Sequence, residues 1–314
     1  MFMNGMFPAR RRSLTVAAVA LAAVGGIAAA VTPAYAGTGH TGKDATILAA
    51  GLRGANEVPV AGGPAVGDKD GAALEFIRVQ GNKVSVAVTW RRTGRPTSLH
   101  IHQGAKGTNG GVKVDFGRLL DKVKGHTVTG TVKVNDPALL KKLTTDPGSF
   151  YANLHTAEFP GGAVRGQLHK VTTSVPFRSA AHSFQASVVK GRQIYECKPA
   201  DGGGYAFAQR DVSALLGGAI RHSFVKPGSG TPQWVAPDGS AVTGALIGKT
   251  PNGAGNIPEL DLKATQSGKH RGLLAGTTEI LRLNTVGGVA PTGSCAPGSI
   301  VAVPYQADYV FVQR

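Results

Sequence analysis

Residues 83–90 read Lys83-Val84-Ser85-Val86-Ala87-Val88-Thr89-Trp90, and their alternation decides the fold class. Val84, Val86, Val88 and Trp90 fall on one face of an extended chain, with Ser85, Ala87 and Thr89 on the other. That period of two belongs to a strand with one face in a core. Working outward, segments 46–54, 73–80, 97–103, 112–116, 127–134, 149–156 and 163–170 read as further strands with turn signals between them. So many short strands in about 125 residues predict an antiparallel sandwich or barrel. One short helix is expected across 136–142, with Asp136 as N-cap and Pro137 at its first position.

Beyond residue 171 the pattern weakens into Ser, Thr, Ala and a Pro, so 172–186 is expected to be a linker. Strand signals resume at 192–197, 205–209, 241–247, 260–264, 278–285 and 305–312. Pro232-Gln233-Trp234 reads as a strand end running into the Ala236-Pro237-Asp238-Gly239 turn. The expected fold is therefore mostly β: two antiparallel β-sandwich or barrel-like domains in tandem, at 46–171 and 187–314.

Length and composition agree with that reading. The chain has 314 residues, enough for about two domains. It contains 45 Gly and 18 Pro, a turn-rich composition that excludes a helical bundle, while 42% hydrophobic content excludes disorder. The formal charge is +16 but only 6% of residues are aromatic, and no Lys/Arg run exceeds three. Few platforms exist for stacking bases, so nucleic acid is not an expected partner; an anionic cell-wall polymer or an extracellular protein is.

Residues 1–36 carry Arg10-Arg11-Arg12, an apolar stretch over 14–31 and Ala34-Tyr35-Ala36, the layout of a secretory signal peptide. Residues 37–45 read as a flexible tail. Cleavage after Ala36 removes three Arg and no acid, leaving 31 basic against 18 acidic residues, or +13. A secreted or extracellular location follows, with cell-wall association through that charge and no transmembrane segment after cleavage. Only Cys197 and Cys295 are present, and an even count in an exported chain predicts a disulfide.

Leu52-Arg53-Gly54-Ala55-Asn56-Glu57-Val58-Pro59-Val60, the run from His100 to Gly111 and the run from Tyr151 to Leu168 together resemble the CHRD domain, named after chordin, over about 46–170. The resemblance implies a β-rich extracellular module and brings no established catalytic activity. Gln193-Ile194-Tyr195-Glu196-Cys197, Pro232-Gln233-Trp234, the run from Asn284 to Pro291 and the run from Tyr305 to Phe311 resemble a secreted bacterial family, domain of unknown function 3455. That resemblance implies no reaction either.

His100 and His102 share one face of a strand, with Leu99 and Ile101 on the other. If Ala152 and Leu154 face inward, Tyr151, Asn153 and His155 face outward, and His169 does so by the same alternation from Leu168. His100, His102 and His155 are thus candidate metal ligands, and imidazole suits copper or zinc. The alternative is that these histidines hydrogen-bond loop backbone and hold 104–111 against the 156–162 hairpin. Glu57 or Glu158 beside an imidazole would orient a ligand or act as a base, although Glu158 also suits a cap on the 157–162 turn. Arg165, expected opposite His155 in a tight hairpin if Ala163 is not, would repel a cation. The His-x-His pattern resembles the copper half of copper/zinc superoxide dismutase, but the chain lacks the downstream His/Asp cluster of a zinc subsite. His222, Trp234, Asp238 and His270 are candidates to line a pocket in the second half. No nucleophile elbow or phosphate loop is present. The sequence therefore reads as an exported binding or structural module with no assignable reaction, the alternative being a metal-binding protein or metal-dependent enzyme.

Overall fold

The structure, a computed structural model, describes residues 45–123, 125–173, 176–180 and 182–314. The expected signal peptide and residues 37–44 lie outside them. Among the described residues no helix is long and apolar enough to cross a membrane.

Two antiparallel β-barrel sheets stand in tandem, the first nearly closed and the second closed. The first contains β1 (Thr46–Arg53), β2 (Ala72–Gln80), β3 (Lys83–Arg91), β4 (Pro96–Gln103), β5 (Val112–Asp115), β6 (Thr127–Lys133), β7 (Phe150–Thr156), β8 (Val164–Gln167) and β9 (His169–Val171). Its order is β5-β4-β7-β8-β1-β2-β3-β6, with β9 also on β1. Helix α1 (Pro137–Thr145) runs one turn longer than expected, and Asp136 caps it by accepting from the Leu139 amide at 2.9 Å.

Alternation builds the first core. Val84, Val86, Val88 and Trp90 of β3 meet Leu48, Ala50 and Leu52 of β1, with Leu99, Ile101, Ala152 and Leu154 from β4 and β7. The opposite face of β1 is buried too, because it lies against the second barrel. A Cβ on Gly51 would stand 3.0 Å from Gln185 Oε1, so the close approach of the two sheets favours glycine there.

One core position breaks the apolar pattern. Glu75 pairs with Ala50 and Val88 and shares the inward face of β2 with Ala73 and Ile77. It is fully buried, and neither carboxyl oxygen has a partner. Burial pushes its pKa up from 4.5 to about 8. A folded-state value above the unfolded one means that the unfolded chain gives up this proton first. Stability is therefore fullest below about pH 4.5 and declines as pH rises towards 8, by about 4 kcal/mol over the window. Glu75→Met is expected to remove that decline, so urea unfolding should show a gain near pH 8 that largely vanishes near pH 5. Identical pH slopes for the variant and the parent would refute the assignment.

The second barrel runs in sequence order from β10 (Phe184–Pro199), β11 (Tyr205–Leu216), β12 (Arg221–Phe224) and β13 (Pro232–Val235) to β14 (Ala241–Thr250), β15 (Glu259–Gln266), β16 (Thr277–Gly287) and β17 (Ile300–Gln313). The segment expected as a linker carries the short helix α2 (Phe177–Ala180), and β10 already begins at Phe184, where Phe184 to Ser187 pair with β17. Cys197 and Cys295 form the expected disulfide. His222 and Trp234 stack in the barrel core with ring centroids 4.4 Å apart. They do not gather with Asp238 and His270: Asp238 accepts from the Ser240 and Leu273 amides in a turn, and His270 is exposed.

Candidate metal centre

Strands β4 and β7 are neighbours, and their register pairs Leu99 with Leu154, His100 with Asn153 and His102 with Tyr151. The inward placement of Leu99, Ile101, Ala152 and Leu154 therefore sends His100, His102 and His155 to the other face together. One nitrogen from each of the three lies within 4.8 Å of the others.

This face is outward from the core but not open to solvent. Tyr151 and Asn153 are buried on it, because the 104–111 loop folds over the sheet. Arg165 fixes that loop, donating from Nη2 to Thr108 O at 2.6 Å and from Nη1 to Asn109 Oδ1 at 3.1 Å. Gln167 Nε2 donates to Gly104 O at 2.8 Å.

The protons on the three rings follow from their partners. His102 Nδ1 lies 2.9 Å from Gly110 O, and His155 Nδ1 lies 3.0 Å from Pro160 O. A carbonyl oxygen only accepts, so both Nδ1 atoms carry hydrogen, and in the neutral tautomer this selects, Nε2 is the atom with the lone pair. His100 is turned the other way: Nε2 faces Asp115 Oδ1 at 3.6 Å, leaving Nδ1. The remaining atoms, His100 Nδ1, His102 Nε2 and His155 Nε2, are all buried without a hydrogen-bond partner. Loop bonding and ligand geometry thus coexist, one nitrogen of each ring serving each. Zinc–nitrogen bonds of about 2.0 to 2.1 Å around one ion would bring the three nitrogens to about 3.4 Å of one another.

Electrostatics keep His100 and His102 in the neutral, ligating form. Burial pushes the His100 pKa down to about 4, helped by His155 and opposed by Asp115. Burial also lowers His102 against the opposing Gly110 bond, with His155 and Arg165 adding to the lowering.

One alternative is decided and two expectations are corrected. The register pairs Arg165 with Asn153 and Val164 with Leu154, which leaves Ala163, the other alternative, on the His155 side. The Arg165 guanidinium sits 3.4 Å over the Tyr151 ring, which in turn stacks on His102 at 4.8 Å. The charge is taken up by loop carbonyls and that ring, so Arg165 positions the lid across the His102 stack. Glu158 is exposed and lies outside the site; Thr156 Oγ1 caps its turn, accepting from the Phe159 amide at 3.1 Å. His169 leaves the cluster because β9 pairs with β1, and its Nε2 lies 3.5 Å from Glu259 of the second barrel.

Besides Asp115 at His100, a second carboxyl lies on the neighbouring Asn153: Glu57 accepts from Asn153 Nδ2 at 3.4 Å. Burial raises it to about 7 against the opposing pull of Arg165 and Asn153. A Cβ on Gly162 would come within 2.7 Å of its oxygens, so glycine there makes room for the carboxyl. Asp115 was not identifiable as an orienting group, because its pairing with His100 depends on how β5 docks. Tyr151 and Asn153 were legible, since alternation had already put them on the histidine face.

Fold and site together define a tandem β-barrel chain whose first barrel carries a lidded three-histidine face. Residues 48–168 match the family model of the CHRD domain, and residues 209–313 match the one described as Protein of unknown function (DUF3455). No curated protein and no solved structure matches the chain. The first match and the disulfide are both of an extracellular type.

Proposed function

We propose that this protein is an exported metal-binding module, acting outside the cell or at its surface, whose first barrel holds one zinc or copper ion on His100 Nδ1, His102 Nε2 and His155 Nε2. The observation that carries this reading is the convergence of three imidazoles, one nitrogen of each within 4.8 Å of the others, in which each ring keeps one buried, unpartnered nitrogen while its opposite ring atom faces an oxygen acceptor. Fixing the outer nitrogen is how proteins orient histidine for a metal. Neutral imidazole suits both ions, with copper(II) the tighter. Three ligands leave coordination positions open, and the role assigned is binding, since no second metal subsite accompanies the histidines in the sequence. The charge of +13 after processing supports a further attraction to anionic wall polymer.

Titration of zinc chloride into chelator-stripped full-length protein tests the reading. One ion per chain is expected. His100→Ala/His102→Ala should weaken binding at least about a hundredfold, because losing outer-shell partners alone costs 10- to 100-fold. His126→Ala, outside the cluster, should bind as the parent does. Equal weak binding by the parent and the double variant would leave these histidines as loop anchors only.

A further inference from the structure

The second barrel holds a site of different chemistry. Trp234, His222, Tyr309 and Phe311 fill much of its interior. Where β10, β16 and the 256–258 and 289–290 loops meet, a cavity of about 250 Å³ remains. At about 30 Å³ per water, that is room for about eight waters.

The polar groups lining this cavity are unevenly satisfied. Tyr195 donates its hydroxyl to Gly288 O at 2.5 Å, and the Asn256 amide is occupied by Asn252 O and the Gly287 amide. Two donor groups are left. Gln193 is 1% exposed, and while its Oε1 accepts from Gln209 at 2.7 Å, its Nε2 has no partner. Arg282 donates from Nε and Nη2 to Pro258 O and also hydrogen-bonds the Tyr309 hydroxyl, which leaves two of its five N–H groups. Among the described residues no carboxylate lies within ion-pair distance of this guanidinium. The unused groups inside are therefore donors, one of them charged, with the Gln209 Oε1 acceptor left at the exposed rim, and the neighbouring wall of Ile257, Pro258, Val289 and Ala290 is apolar.

We infer that this cavity binds a small organic carboxylate, its oxygens on the remaining N–H groups of Arg282 and on Gln193 Nε2, its apolar body against Ile257 and Val289. A planar guanidinium with two parallel donors matches a carboxylate bidentately, and a mostly apolar pocket with few convergent polar groups is the usual form of a small-molecule site. The inference is independent of the histidine face.

Benzoate and its neutral counterpart benzamide are the probes, titrated into the full chain by calorimetry. Benzoate should bind with a Kd on the order of 1 mM or tighter, as befits a ligand of so few atoms. Benzamide should bind at least about tenfold more weakly, because it cannot answer the charge. Arg282→Gln should remove the preference for benzoate. Because Arg282 also braces Pro258, Val289→Trp provides a second variant that fills the cavity from an exposed loop, and it should abolish binding of both probes. His100→Ala/His102→Ala should bind benzoate as the parent does. Equal binding of the two probes, benzoate binding unchanged by Val289→Trp, or no benzoate binding to the parent up to about 10 mM would overturn the assignment.

Discussion

Asp308→Ala is expected to destabilise the protein by about 3 to 5 kcal/mol, the range for removing one partner of a buried ion pair. Asp308 sits on the outer face of β17, 2% exposed, and its carboxylate accepts from Arg53 Nε at 2.7 Å and from Asn284 Nδ2 at 2.9 Å. A second Arg53 nitrogen reaches the same carboxylate and Ser187. The pair joins β1 of the first barrel to β17 of the second. Asn284 extends the junction by donating to Gly51 O at 3.1 Å and accepting from Asn56 Nδ2 at 2.9 Å. Truncation leaves a half-buried guanidinium without its counter-charge at the seam. The loss should appear in urea unfolding as a lower midpoint, with the single transition separating into two as the barrels uncouple. Arg53→Met combined with Asp308→Leu should recover most of it, since an apolar pair leaves no buried charge. A loss below about 1 kcal/mol in the single variant would mean that the seam is held by other contacts, such as Lys106 with Glu259.

That seam shows where sequence reading stops. Alternation located nearly every strand of the first barrel, because each has one face in a core and the period of two survives intact. The second barrel was harder. β10 runs for sixteen residues, but only 192–197 reads as a strand, since irregularities between Val188 and Lys190 and between Ile194 and Tyr195 shift the phase of its faces. β12, Arg221–Phe224, is short and mixed in polarity and carries no such signal. The histidine face was legible because three of its members lie on strands of known phase, and only the adjacency of β4 and β7 had to be supplied by the fold. Arg53 and Asp308 stand 255 positions apart, and no local pattern marks them as partners. Glu75 sits in phase with Ala73 and Ile77, so its core position was open to the same reading. What alternation does not reveal is the absence of any hydrogen-bond partner inside.

Breaking the Cys197–Cys295 disulfide is expected to cost about 4 to 5 kcal/mol of unfolding free energy. The bridge spans 98 residues, and in the chain-entropy account a loop of that size confines the unfolded chain by about 4.7 kcal/mol. The closed loop contains β11 to β16 and the end of β10, so most of the second barrel unfolds as a constrained ring when oxidised and as a free chain when reduced. The native backbone contacts at the bridge remain either way: the Cys197 amide donates to Ser299 O at 2.9 Å, and Cys197 O accepts from the Gly298 amide at 3.0 Å. The effect therefore falls mainly on the unfolded state. Cys197→Ser/Cys295→Ser should lower the urea midpoint by the amount that reduction lowers it in the parent, whereas reductant should leave the variant unmoved. A midpoint insensitive to reductant in the parent would show that the unfolded chain is compact enough to gain nothing from the tether. The same bridge ties down the segment between β16 and β17, which carries Val289 and Ala290 at the Arg282 cavity. Reduction should then weaken benzoate binding even where the barrel remains folded, because the apolar wall is no longer held before the ligand arrives. An oxidising compartment would in that case set both the stability of the second barrel and the shape of its pocket.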